Sequence, residues 1–272
     1  MTAELFDTHA HLTDPKIAAD VEAVLARAWS AGVTSMVVIG YDLPSSEEAV
    51  RLAGQHPGRL YPAVGLHPHE ADTAWPALLP RLRELAAAPE VVAIGEIGLD
   101  AYRGWSSEPN QRRLLDAQLQ IALDVRKPVC VHSRAAETTI LPQLEAFAKA
   151  AAAAGLSLPG VMHCFGGTLE EAQPFVELGY LVSIAGPVTY PKNDRTRRLA
   201  AGLPARSLVI ETDTPYLPPQ GMRGQRNEPA CIVETARAVA AARGETFAEV
   251  ARVTTENARR LVTAALAGAA SP

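Results

Sequence analysis

Cysteine is scarce in this sequence: Cys130, Cys164 and Cys231 are too few and too scattered for a disulfide framework or a CxxC metal site. Long apolar runs are missing as well. No stretch approaches the roughly 20 apolar residues of a membrane span. The first residues carry no basic segment followed by the apolar core of a secretory leader. Positive charge is in deficit, with 25 Lys and Arg against 30 Asp and Glu and a formal net charge of -5. That balance excludes a broad basic surface for nucleic acid but leaves open a local, metal-assisted phosphate site. Together these absences predict a cytoplasmic protein in a reducing compartment, with no membrane association and no obligate protein partner.

What the sequence does contain is an alternation. Short β-rich runs, "ELFDTH", "VTSMVVIG", "LYPAVGLH", "VVAIGEIG", "PVCVHS", "GVMHCF", "YLVSIAG" and "SLVIETD", make eight strand candidates. Between them lie Ala-, Leu-, Glu- and Arg-rich segments at helical spacing, over 16–31, 45–55, 73–88, 108–126, 136–153, 168–178 and 192–202. Such alternation implies parallel strands joined by crossover helices. An irregular, Pro- and Gly-rich loop, "TPYLPPQGMRGQRNEP", follows the eighth run, and two or more helices complete the chain. The Ala-rich tracts at 148–154 and 238–242 read as helix, and the terminal "GAASP" is expected to fray. No linker interrupts the pattern, so residues 1–272 are expected to form one α/β domain, a (β/α)8 TIM barrel, with an open doubly wound sheet as the rival.

The stretch "DTHAH" tests the choice. On a strand, alternate residues share a face, so His9 and His11 point the same way with Asp7 beneath His9. A barrel gathers its reactive residues at the C-terminal strand ends. His9 and His11 close the first run, His67 follows the third, Glu96 ends the fourth, His132 the fifth, His163 the sixth and Asp213 the eighth. Closure sets the first and last strands side by side, and so lets Asp213 join His9 and His11. Four histidines with two carboxylates exceed what one tetrahedral ion needs, which implies two divalent ions, with Glu96 on a central strand as the bridge.

The quoted runs, extended to "FDTHAHL", "AVGLHPH", "IGEIGLD", "VCVHSRAA", "MHCFGG", "ETDTPYL" and "RGQRNEP", resemble the ordered motif set of the TatD family of metal-dependent hydrolases over nearly the whole chain. The resemblance implies a TIM barrel with two or three divalent ions and phosphodiesterase activity on DNA. It implies that His9, His11, Glu96 and Asp213 surround one ion and Glu96, His132 and His163 the other. It also implies that His67, at the barrel mouth, contacts phosphate or water. Two positions depart from the family's usual wording, Ala101 after "GLD" and Gly167 after Gly166. Neither is a ligand position, so they bear on substrate preference.

Supporting residues can be weighed on their own chemistry. Arg134 shares the face of His132, where a guanidinium could bind phosphate bidentately or close a loop through an ion pair. Arg223, Arg226 and Asn227 lie in the loop after strand eight, a common phosphate-binding position in barrels, and are expected at the substrate. Glu211 is expected to orient a histidine ligand from below. Asp213 could be a fixed ligand or could carry the proton from attacking water to leaving oxygen. Cys130 is expected to be buried below the mouth, Cys164 to point outward against helices, and Asp7 to hydrogen-bond within the barrel.

The leading expectation is a deoxyribonuclease that cleaves single strands or strand ends with a metal-activated water, using Zn, Mn or Mg. The alternatives are a D-aminoacyl-tRNA deacylase or other ester or amide hydrolase with the same binuclear site, which would take tRNA as partner, and a non-catalytic metal-stabilised scaffold. Fold alone does not choose among them.

Overall fold

The structure, a computed structural model, describes residues 3–269, so the last three residues of "GAASP" lie outside it. In chain order it runs β1 (Leu5–Ala10), α1 (Pro15–Ala18), α2 (Val21–Ser30), β2 (Val33–Ile39), α3 (Leu43–Gln55), β3 (Leu60–Val64), α4 (Leu79–Ala87), β4 (Ala93–Asp100) and α5 (Glu108–Val125). It continues with β5 (Val129–Arg134), α6 (Glu137–Ala153), β6 (Gly160–Met162), α7 (Leu169–Glu177), β7 (Leu181–Ile184), α8 (Asp194–Gly202), β8 (Leu208–Ile210), α9 (Ile232–Arg243) and α10 (Phe247–Ala269). All seven strand pairings in the sheet order β1 to β8 are parallel. Closure comes just beyond β8. Asp213 N–H donates to His9 O and His11 N–H to Thr214 O, each at 2.9 Å. The fold is a (β/α)8 barrel, and the open-sheet rival is excluded by those bonds.

Local chemistry sets the element ends. Asp42 and Ser45 form a reciprocal capping box at the start of α3, and Thr168 and Glu171 do the same for α7, satisfying N–H groups that a helix start leaves unpaired. Strands β1 and β4 are buried at every position, as both faces of a helix-covered parallel strand should be. β3, β6, β7 and β8 are shorter than the sequence pattern predicts. β3 stops at Val64 because the next two N–H groups, those of Gly65 and Leu66, donate to the side chains of Ser46 and Gln118 instead of to a strand. β6 and β8 stop before Cys164 (φ 41°) and Asp213 (φ 57°), left-handed backbone that no strand can contain. His67, His163 and Asp213 therefore stand on turns leaving the barrel rim. The predicted helix over 16–31 is split into α1 and α2, and that over 73–88 begins as 3-10 at Trp75–Leu78. Among the described residues no helix is long and apolar enough to cross a membrane.

Candidate metal centre

Glycine controls how closely β4 approaches its neighbours, and hence where Glu96 sits. A Cβ on Gly98 (φ 150°) would come within 1.8 Å of His132 O, and one on Gly95 within 2.5 Å of Cys130 O. Only the missing side chains of "GEIG" permit that contact. It brings the Glu96 carboxylate 2.8 Å from His132 Nδ1, 3.2 Å from His163 Nε2, and 3.5 Å from the Nε2 of His9, His11 and His67. Asp213 Oδ1 completes the near side, 3.5 Å from His11 Nε2 and 3.9 Å from His9 Nε2. His9 Nε2 and His11 Nε2 are 3.1 Å apart.

Three overlapping sets of potential ligand atoms result: His9, His11 and Asp213; His9, Glu96 and His163; His67, Glu96 and His132. Their spacings suit a cation. Ligand atoms about 2.0–2.1 Å from a tetrahedral ion stand roughly 3.3 Å from one another. The separations of 3.1–3.9 Å among His9, His11, Glu96 and Asp213 bracket that edge.

In three of the imidazoles the partner of the outer nitrogen fixes which nitrogen faces inward. His163 Nδ1 donates to Glu211 Oε1 at 2.9 Å, His132 Nε2 to Asp100 Oδ2 at 3.3 Å, and His9 Nδ1 to Cys130 Sγ at 3.3 Å. His9 turns a lone pair to the centre, and His132 and His163 turn to it the nitrogen whose proton an ion would displace. His67 is different: its Nδ1 accepts the backbone N–H of His69 at 3.2 Å, which puts the proton on Nε2, facing Glu96. It is near enough to be grouped with the ligands, yet its inward atom is a donor, suited to an oxygen of water or phosphate.

Charge follows from the same contacts. Burial and the stacked ring of His163, 3.7 Å away between centroids, hold His9 down at about 3, and burial holds His67 at about 4. For Glu96 burial works upward but is outweighed by His163, His67 and the bond from His132, which hold the carboxyl well below its usual value. Burial likewise opposes charge on His11, His132 and His163, but Asp213, Asp100, Glu211 and Glu96 raise all three. Protons thus occupy the positions where a cation would neutralise the carboxylates.

Around the centre opens a cavity of about 750 Å³, lined by Tyr102, Arg103, Arg134, Cys164, Arg195, Asp213 and others. Arg134 stands exposed in its wall with its guanidinium 4.1 Å from the Tyr102 ring centre, and makes no ion pair among the described residues. Cys164 does not point outward against helices; the left-handed turn after β6 brings it to the cavity wall. Cys130 is buried beside His9, and Asp7 accepts hydrogen bonds from Thr212 N–H (3.0 Å) and Thr212 Oγ1 (2.5 Å) inside the barrel.

Two residues of the loop after β8 have their polar atoms engaged within the protein. Arg226 is engaged by Asp20 (2.7 and 2.8 Å), Glu228 (2.6 Å) and Lys16 O (2.6 Å), contacts that clamp the loop to the start of α2. Asn227 is wholly buried, donating to Thr212 O and Tyr216 O and accepting from Glu228 N–H; it shapes the turn behind Asp213. Arg223 is exposed, 4.9 Å from the Tyr190 ring centre, and is not part of the cavity wall.

The sequence reading gave no role to Asp100, His69, Tyr102, Trp105, Arg103 or Arg195. Asp100 had a signal: it follows Glu96 by four on one strand and so shares its face. It joins His132 to His69, whose Nε2 lies 3.0 Å from Asp100 Oδ2. The other four are on loops or a helix start, where no periodicity marks them.

Comparison with known proteins matches residues 6–263 to the family described as TatD related DNase. The chain is 36% identical over 263 residues to the uncharacterized metal-dependent hydrolase YabD of Bacillus subtilis (strain 168), covering 94% of this chain and 98% of that protein. It is 38% identical over 263 residues to the 3'-5' ssDNA/RNA exonuclease TatD of Escherichia coli (strain K12), with coverage of 94% and 98%. Among solved structures, the TatD homolog YjjV of Escherichia coli K12 superposes with a TM-score of 0.88 at 33% identity, over 97% of this chain and 99% of that one.

Proposed function

The chain belongs to the TatD-related DNase family of metal-dependent hydrolases, and on that premise we propose that it removes nucleotides from the ends of single-stranded DNA. The observation that carries this reading is the convergence of five histidines and two carboxylates, of which His132, His163 and Asp213 reach the wall of a cavity that also holds arginines. Residues 1–272 act as one domain. Relatives named as ssDNA/RNA exonucleases support the substrate class. The three free thiols fit a reducing, cytoplasmic compartment.

In this reading the centre takes two divalent ions, Zn, Mn or Mg. His9, His11 and Asp213 would hold one and His132 and His163 the other, with Glu96 within reach of both. When bound, the ions supply Lewis acidity for the scissile phosphate and for water. The remaining work belongs to the chain. Asp213, which faces the cavity, accepts the proton of the attacking water at a carboxylate oxygen and returns it to the leaving oxygen. The Nε2–H of His67 donates to a phosphate oxygen. Arg134 offers its fork to the same phosphate. Glu211 and Asp100 keep His163 and His132 in the ligating tautomer.

The test is nucleotide release from single-stranded DNA by metal-stripped protein titrated with Mg, Mn or Zn, beside Glu96→Ala. Release that requires the ion and disappears in the variant is expected. No release with any ion would overturn the DNase reading and turn the search to aminoacyl-tRNA and other esters.

A further inference from the structure

Large apolar side chains are rarely left in water without a use when they cluster beside a site. Among the described residues only four large hydrophobic side chains are markedly exposed, and three of them, Tyr102, Trp105 and Tyr216, stand at the barrel mouth. Tyr102 (64% exposed) and Trp105 (63%) come from the short turn between β4 and α5. That turn is held rigidly: Asp100 Oδ1 accepts the N–H groups of Tyr102 and Arg103 at 2.9 and 2.8 Å, Ser106 Oγ donates to His69 O at 2.7 Å, and the Trp105 ring meets the edge of His69. These rings are therefore presented outward by a fixed backbone.

Cations accompany them. The guanidinium of Arg134 lies 4.1 Å from the Tyr102 ring centre, and that of Arg103 lies 5.1 Å from the Trp105 ring centre. Arg103, Arg134 and Arg195 all line the cavity that leads to His163 and Asp213. A ring that keeps more than half its surface in water with a guanidinium already stacked on it still has a π-surface to offer. Alternating π-surfaces and cations match one polymer chemistry, unpaired bases on a phosphate backbone.

We propose that Tyr102 and Trp105 form a base-stacking platform for single-stranded nucleic acid, with Arg103, Arg134 and Arg195 carrying the phosphates from it toward the metal centre. The proposal rests on the nucleic-acid reading above and names the substrate feature that is bound. Stacking uses the faces of the bases, so the platform is tolerant of sequence and requires strands that are not paired. A duplex hides those faces. The platform thus selects single strands without any base-specific hydrogen bond, and it adds affinity in an acidic protein without a broad basic surface.

The test separates binding from turnover. Metal-free wild-type protein, Tyr102→Ala/Trp105→Ala and Tyr102→Leu, the last keeping bulk but no π-face, are titrated by fluorescence anisotropy. The probes are a labelled oligothymidine and an abasic strand of equal length at one salt concentration. Wild type should bind the intact strand roughly tenfold or more tighter than the abasic one. The double variant should bind both strands with the wild type's abasic constant, and Tyr102→Leu should lose part of the difference. Quenching of tryptophan fluorescence by the intact strand should vanish in Trp105→Ala. Equal binding of both strands by wild type, or undiminished binding of the intact strand by the double variant, would overturn the platform. Nucleotide release by metal-loaded wild type is scored separately. Release with base-independent binding sinks the platform alone, whereas base-dependent binding without release sinks only the exonuclease.

Discussion

His9 depends on the atom behind its ring. With Nε2 turned to the centre, its Nδ1–H has one partner, the thiol sulfur of Cys130 at 3.3 Å, where the histidines His132 and His163 have carboxylates. A sulfur acceptor is weak, but removing it would leave a buried N–H unpaired and free the ring to turn. Cys130→Ala should weaken ion binding by about tenfold, the low end for loss of such a partner, and Cys130→Ser should retain most of it. Competition with a chromophoric chelator reads this directly, and equal affinities in all three proteins would dismiss Cys130 as a support. Arg226 makes the opposite kind of residue-scale case. Because both terminal nitrogens of its guanidinium are engaged by Asp20, Glu228 and Lys16 O, Arg226→Ala should lower the melting temperature while leaving KM for an oligonucleotide unchanged. A raised KM at wild-type stability would restore it to the substrate. The motif "RGQRNEP" marked the right loop but not the partners Asp20 and Lys16, which lie some 200 positions earlier in the chain and are joined to it only by folding.

Elements set the tolerances within which those residues act. The pairing of Gly98 with His132 across β4 and β5 has no room for a methyl group, and its φ of 150° is one that side chains rarely adopt. Gly98→Ala should therefore cost about 3 kcal/mol in denaturant unfolding. It should also reduce ion affinity, since His132 must move with its strand; a variant of normal stability and affinity would show that the contact can relax. Between α5 and β5 lies Lys127, buried, with Nζ donating to Ala86 O and Ala88 O at the end of α4 at 2.7 and 2.5 Å. Burial lowers its ammonium from the usual 10.5 to about 8. Between those values the unfolded chain holds a proton that the folded chain has released, so the stability of wild type relative to Lys127→Met should rise with pH from about 8 to 10.5. Urea unfolding of the two proteins at pH 7.5 and 10 reads the difference, and a flat or falling difference would contradict the buried position.

At the scale of the whole molecule, the sequence displayed the order of strands and the residues at their ends, because periodicity and position along a strand are local properties. Eight runs with His9, His11, Glu96, His132, His163 and Asp213 at their C-terminal edges were enough to call for closure. The shortness of β6 and β8 was hidden, since left-handed backbone at Cys164 and Asp213 has no signature in residues that are not glycine. The pairings of Asp100 with His69 and of Arg226 with Asp20 were hidden for another reason, being products of the assembled barrel. Closure also has a thermodynamic consequence. The centre joins β1, β4, β5 and the turns after β6 and β8, so an ion bound there ties together segments that unfolding must separate. Saturation at 100 times Kd should add about 2.7 kcal/mol. For a chain of this size that is about 5 °C of melting temperature, lost on adding a chelator. In the metal-free protein His11, His132 and His163 hold protons more tightly than ordinary histidines, and an ion must displace them. The chelator-sensitive increment should accordingly shrink as the pH falls from 8 toward 5.5, and it should be absent at every pH in Glu96→Ala. A melting temperature that ignores chelator in wild type, or an increment that grows on acidification, would mean that the cluster is held by its own protons and carboxylates and takes no ion.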